Sequence, residues 1–490
     1  MLNFIQHISR MTIEIFLSFW IKAVQHIYLM IGLLWFFSCT ATKTFNQAHK
    51  KRTVEAFINK HIKNSELKMQ LGIKIVSLPD GATLYEFNSD KLMTPASTNK
   101  LFTSAASIHH LPQGHSFKTT LALSGNNLIL RGGADPGLSF EELNSLSRIV
   151  SKKVNMIDTL FIDDGIFDLV RYGEGWMWDE GSEKYSAAIG GLNLYGNCID
   201  FICSPNVIGK SVQIELYPKT DYISFTNNSM TVSDTLKSNT LKIDRDWLNQ
   251  TNHFNIIGSM SLNSENDTLT KNVQDPTAYV ATVFREQLDD LGVKVNHVHK
   301  KNALSISDTF ALHESKTVLE YLTKMMFESD NLIAESLIKY ISANDSTVGN
   351  WSDGMNKMKL FLHEEVNSDT NALRIVDGSG LSRYNLISPN QVVGLLQYMN
   401  NTKMGKMYKA LLPHGDMKDS GLENRFKVNS ERINAKTGTL SGVSCLSGYI
   451  VSPQYGPLAF SIMINGFVGS VQPYREFKDE ICLWLMRDTK

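Results

Sequence analysis

Three short strings, Ser97-Thr98-Asn99-Lys100, Ser329-Asp330-Asn331 and Lys436-Thr437-Gly438, occur in that order and must converge in space if they act together. Each alone is weak, because its residue types are common, and a second S-x-x-K pattern lies at Ser65 to Lys68. Context separates them. Ser97 follows Pro95-Ala96 and opens the apolar run Leu101-Phe102-Thr103-Ser104-Ala105-Ala106, which reads as a helix with proline at its start. Residues i and i+3 of a helix share a face, so Lys100 can reach the Ser97 hydroxyl unaided. Ser329 and Asn331 lie in a helical region from Leu319 to Ile341 and offer a hydroxyl and an amide from a second element. Lys436 lies in the run Arg432 to Leu440, whose alternation continues through Val443, Leu446, Tyr449 and Val451. That pattern predicts a strand and a hairpin to Leu458–Ile464. Glycine inside such a strand lets another backbone lie close to it.

Serine is a poor nucleophile until a base takes its proton, and lysine, with an ordinary pKa of about 10.4, is usually charged. Bringing that amine to about 7 requires roughly 4 kcal/mol from desolvation and a nearby second cation. Lys436 is the candidate for the cation. The three strings together are the signature of serine acyl-transferases that react with penicillin. More specifically, the chain resembles a class C low-molecular-mass penicillin-binding protein, a D-alanyl-D-alanine carboxypeptidase/endopeptidase of the peptidase S13 family. The resemblance is carried by Gly132-Gly133-Ala134-Asp135-Pro136, Asp163 to Asp168, Tyr185-Ser186-Ala187-Ala188 and, most tellingly, Asp377-Gly378-Ser379-Gly380-Leu381-Ser382-Arg383. It runs from about Phe57 to the C-terminus. Ala134 stands where the family usually has glycine, and Leu412 to Leu422 is a less regular version of the family's run there.

The resemblance implies Ser97 as acylated nucleophile, Lys100 as its base, Ser329 and Asn331 as proton-relay and substrate-orienting pair, and Lys436 as partner of a substrate carboxylate. It also implies a substrate-binding wall of Asp330, Asp377, Arg383, Thr437, Gly438 and Thr439, with the backbone N–H groups of Ser97 and Thr439 as oxyanion hole. Peptidoglycan peptides are the implied substrates and β-lactams the implied inhibitors. A related serine esterase or D-aminopeptidase is the alternative enzyme, and a wall-binding protein with a vestigial site is the alternative without catalysis. A glutamate in an E-x-x-L-N loop, which rapid β-lactam hydrolysis needs, is missing from the nearest string, Glu364-Glu365-Val366-Asn367.

The implied fold is α/β (α+β): a β-lactamase/transpeptidase-like catalytic domain, its antiparallel sheet flanked by helices, with inserted mainly-β domains. The stretch between Ser97 and Ser329 is far longer than one compact catalytic domain needs. Short alternating segments such as Leu121-Ala122-Leu123, Leu128-Ile129-Leu130 and Val212 to Tyr217, broken by Asn, Ser, Gly and Asp, assign 116–275 to a mainly-β insertion of two subdomains. The catalytic domain then combines 39–115 and 276–490, with a helix over Pro276 to Leu291 carrying the chain back into it.

Residues 1–38 read as a signal or anchor segment. Ile27 to Phe37 is apolar, follows Lys22 and ends at Ser38-Cys39, which resembles a bacterial lipoprotein processing site. Lipidation of Cys39 would anchor an exported, periplasm-facing enzyme to a membrane. A formal net charge of −1 and the lack of a strong basic run give no reason to invoke nucleic acid. Neither a cofactor nor a metal is expected, since no Cys/His cluster has ligand spacing. Cys198 and Cys203 are close enough in sequence to bridge across a turn, whereas Cys445 and Cys482 read as buried apolar residues.

Overall fold

The computed structural model describes residues 50–234, 239–301, 309–343 and 347–488, with Trp20, Lys22, Val24, Gln25, His26 and Met30 before them. Cys39 and, save Met30, the apolar run before it lie outside the described residues. The chain divides into two compact units, the smaller comprising residues up to Glu66 together with Thr83–Tyr85. Within that unit, a helix over 50–64 buries Val54 and Ile58, and the Tyr85 hydroxyl donates to Asn59 Oδ1 (2.7 Å).

Two large cores stand out among the described residues of the larger unit. One is laid on an antiparallel sheet in which Gln70–Ser77, Gly456–Asn465, Val443–Ser452 and Ile433–Leu440 are neighbours in that order. Along Val443–Ser452, Cys445 and Tyr449 join the core with the helix Pro389–Asn401, and the Tyr449 hydroxyl donates to Leu396 O (2.8 Å). Ser444, one residue out of phase, receives Lys478 from the C-terminal helix Gln472–Met486. The two-residue period of a strand thus gives each face of the sheet its own helical cover. Beyond Pro389–Asn401 the same core takes in the helices Lys100–His110, Val318–Glu328, Asn331–Ser342 and Trp351–Glu364.

The second core belongs to the insertion, and here two expectations are corrected. The inserted sheet orders Lys294–Lys300, Met156–Asp163, Asn127–Arg131, Ser116–Ser124 and Thr309–Thr317, so the insertion runs to Thr317 rather than residue 275. Its first two pairings are parallel, its last two antiparallel. Helix Pro276–Asp290 does not return the chain to the catalytic domain. Its Val280, Val283, Phe284 and Leu288 are buried with Leu128, Leu160 and the Leu143, Leu146 and Val150 side chains of helix Phe140–Ser151. The region is therefore mixed α/β, with a smaller β part around Cys198–Ser204 and His253–Ile257 sharing the same core. The edge strand Lys294–Lys300 escaped notice because it is almost wholly exposed and carries no apolar run. Ser116 and Thr317 are paired, and Val318 N–H donates to His115 O (2.8 Å), so the insertion leaves and re-enters at one point.

Ala134 has φ 68°, in the left-handed region, which explains why glycine is usual there. Cys198 and Cys203 lie on one strand, five positions apart, facing opposite sides, and both are free thiols rather than a bridge.

Candidate active site

Ser97 sits in the single 3-10 turn Ala96–Asn99, from which the helix Lys100–His110 continues. Lys100 is completely buried, and its amine is close to three oxygens: Ser97 Oγ (3.0 Å), Asn331 Oδ1 (2.6 Å) and the Ser379 carbonyl (2.9 Å). An ammonium would donate to all three. A neutral amine keeps two donors for Asn331 and Ser379 and turns its lone pair to the Ser97 hydroxyl, the arrangement a base needs. Burial lowers the Lys100 pKa to about 8, against the opposing pull of Glu335, Asp377 and Asp330. Desolvation, the first of the two causes expected from sequence, is thus the largest. Lys436, also buried, is held well below its ordinary value by burial first and by the Lys100 charge second. Its amine donates to Ser329 Oγ (2.9 Å).

Ser329 ends the helix Val318–Glu328 in the left-handed region (φ 62°), the break that lets a new helix start at Asn331. That turn places the Ser329 hydroxyl on Lys436 and the Asn331 amide on Lys100. The other end of the amide, Nδ2, donates to the Tyr185 carbonyl (2.8 Å), fixing its orientation. Asp330, expected in the substrate-binding wall, caps the second helix by accepting Ile333 N–H (3.0 Å) and, half-buried, also lines a pocket with Tyr185, Ser329 and Asn331.

The third string lies on the outer strand of its sheet. Ala435 N–H points outward to Pro413 O (3.0 Å), and N–H groups along a strand alternate, so those of Thr437 and Thr439 share this open edge. Gly438 presses on the nucleophile turn: a Cβ there would fall 2.5 Å from Pro95 O and 3.0 Å from Ser97 N. Thr437 packs against Gly421, whose Cβ would meet the Thr437 hydroxyl at 2.1 Å. Thr439 is exposed and, with Ser97, Ser329, Asn331 and Arg383, lines a cleft of ≈ 760 Å³. The Arg383 guanidinium is anchored by two contacts of 3.1 Å to Ser441 O.

Asp377 is corrected as well. It is fully buried and accepts from Gly380 N (2.9 Å), Ser382 N (2.6 Å), Asn385 Nδ2 (2.7 Å) and Trp176 Nε1 (3.0 Å). Its role is to shape the turn that carries Ser379 and Arg383. Sequence reasoning assigned no part to the Ser379 and Tyr185 carbonyls, although both lie in segments that carried the resemblance. It also missed Glu335, buried on the apolar helix Asn331–Ser342; the helix's one acidic residue, four positions after Asn331, was the available signal.

A family model described as D-Ala-D-Ala carboxypeptidase 3 (S13) matches residues 54–487. A D-alanyl-D-alanine carboxypeptidase of Actinomadura sp. (strain R39) is 31% identical over 424 residues, spanning 81% of this chain and 78% of its own. The D-alanyl-D-alanine carboxypeptidase DacB of Haemophilus influenzae is 28% identical over 403 residues, 78% of this chain and 82% of its own. In three dimensions the chain is similar to the crystal structure of penicillin binding protein 4 from Haemophilus influenzae. There the TM-score is 0.75 at 23% identity, covering 88% of this chain and 99% of that one.

Proposed function

The chain belongs to the D-Ala-D-Ala carboxypeptidase 3 (S13) family and is a serine DD-peptidase, and we propose how its residues divide the work. Lys100 takes the proton as Ser97 Oγ attacks the carbonyl of a D-alanyl-D-alanine bond. The oxygen that becomes negative rests on the backbone N–H groups of Ser97 and Thr439. Protonated Lys100, with Ser329 between it and the leaving group, returns the proton to the departing amine, and water then hydrolyses the acyl-serine. Lys436 and the open edge at Thr437 and Thr439 hold the substrate's terminal carboxylate. The observation that carries this reading is the 3.0 Å contact between the buried Lys100 amine and Ser97 Oγ. A β-lactam acylates the same serine. Fluorescent penicillin should label the wild-type chain and leave Ser97→Ala unlabelled but folded; persistent labelling of that variant would refute the assignment.

The same acyl-enzyme serves two reactions, removal of a terminal D-alanine and cleavage of a D-amino-acid cross-link, because only the leaving group differs. Mass spectrometry of monomeric and cross-linked muropeptides after digestion apportions them. For location, the run ending in Ser38-Cys39 supports export with a lipid on Cys39. One acyl chain binds membranes only marginally, each buried methylene contributing about 0.8 kcal/mol, so a stable anchor needs more than one. Cys39→Ala should then leave the membrane fraction or retain its leader, with unchanged activity in detergent. Recovery of the wild type as a soluble, unlipidated protein would refute the anchor.

A further inference from the structure

Glu335 lies one helical turn beyond Asn331 on the same face of Asn331–Ser342 and is completely buried. Its carboxylate is met by donors: Ser379 N–H at Oε1 (2.7 Å), and Gly378 N–H and the Trp351 indole N–H at Oε2 (both 2.8 Å). The carbonyl of the same Ser379 accepts from Lys100 Nζ at 2.9 Å. The Gly378-Ser379 backbone is therefore clamped between a carboxylate below and the base above. It is also pressed onto the helix, since a Cβ on Gly378 would lie 2.7 Å from Ala334 O.

Resting on the acyl-serine reading above, we propose that Glu335 is a positioning residue for that reaction, holding the Ser379 carbonyl against the Lys100 amine and supplying the negative charge beneath it. Three converging donors need an acceptor. A glutamine would turn an amide hydrogen toward at least one of them, and a protonated acid would accept from them more weakly than a carboxylate. The charged groups facing this pair are few. Asp377 lies across the turn and Asp330 at the helix start; Lys339 lies one turn further on, paired with Asp168 (2.6 Å); and Lys436 faces Lys100 across the site. Burial and Asp377 push Glu335 up to about 7, while Glu335 is the largest influence raising the Lys100 value against its desolvation.

The test is the pH dependence of penicillin acylation in Glu335→Gln and Glu335→Asp, with thermal melts as a check on folding. In Glu335→Gln the plateau rate should fall by about tenfold, and the acidic limb should move to lower pH by about one unit, because Lys100 loses the charge that favours its ammonium form. Glu335→Asp keeps the charge but withdraws from the two N–H groups, so its plateau should fall while the limb stays. Titration of the Lys100 Nζ by 15N NMR reads the same shift without any catalysis, and labelling of the wild type at Ser97 reports separately on the proposed function. An unshifted limb in Glu335→Gln, or a plateau within twofold of wild type in Glu335→Asp, would reduce Glu335 to a folding role and overturn the proposal.

Discussion

Lys100 can accept the Ser97 proton only when uncharged, and burial has brought it to about 8. Below that pH the amine is an ammonium with no lone pair for the hydroxyl. Acylation should therefore climb tenfold per pH unit on the acidic side and level off above about 8, which stopped-flow measurement with a chromogenic β-lactam checks. Lys100→Ala should abolish acylation far more than it lowers the melting temperature. Lys436 acts differently, because its amine rests on Ser329 rather than on Lys100. Lys436→Ala should weaken peptides that bear a terminal carboxylate by about 1.5–3 kcal/mol, the value of a charge-assisted contact. An equal loss for esters lacking the carboxylate would mean that Lys436 serves the proton relay instead. The five motif residues were legible because their chemistry is written in side-chain type and short spacing. Asp377 was not, since a carboxylate consumed by buried donors has the same letter as one that meets a substrate.

The site depends on how three elements end. A helix must break at Ser329 and restart at Asn331, and the Asp330 cap secures the restart; Asp330→Ala should cost about 1 kcal/mol in thermal unfolding and loosen Asn331. Gly438 has the opposite task, leaving space for the nucleophile turn. Gly438→Ala puts a methyl against Pro95 O and Ser97 N, so penicillin acylation should fall at least ~100-fold, equivalent to about 2.7 kcal/mol, while the sheet survives. Elements of this kind are readable when a long apolar segment marks them. The helix after Pro95 shows itself as an apolar run with proline at its start, and the strands from Ile433 to Asn465 as apolar segments separated by turns, and both form as expected. Lys294–Lys300 shows no such segment, because its side chains face water and only its backbone belongs to the sheet. Nothing in Pro276–Asp290 says which of two cores its apolar face will join.

At the scale of the whole larger unit, the insertion looks separable, since Ser116 and Thr317 are paired neighbours and residues 116–317 own a core. The side chains argue otherwise. Phe117, Ala134, Phe167 and Ile189 of the insertion are buried in the catalytic core, and Tyr185 supplies the carbonyl that orients Asn331. Trp176 donates to Asp377 beneath the Ser379 turn, and Asp168 neutralises Lys339, a lysine buried in the Ser329-Asn331 helical layer. The segment from Phe167 to Ile189 that carries most of these groups is tied down by Asp164, which accepts from Arg171 (2.7 Å) and Lys300 (2.9 Å). Breaking a buried ion pair from one side costs about 3–5 kcal/mol, so Asp168→Asn alone should lower stability by about 3 kcal/mol, its carboxylate being partly exposed. Excision goes further. A chain joining His115 to Val318 through a short turn keeps Ser97, Lys100, Ser329, Asn331 and Lys436, and its joint is already closed in the native structure. It nevertheless loses the acceptor for Asn331, the counter-ion for Lys339 and four core side chains together. Penicillin labelling of that excised protein should be absent; labelling at near the wild-type rate would show that the motifs assemble without the insertion.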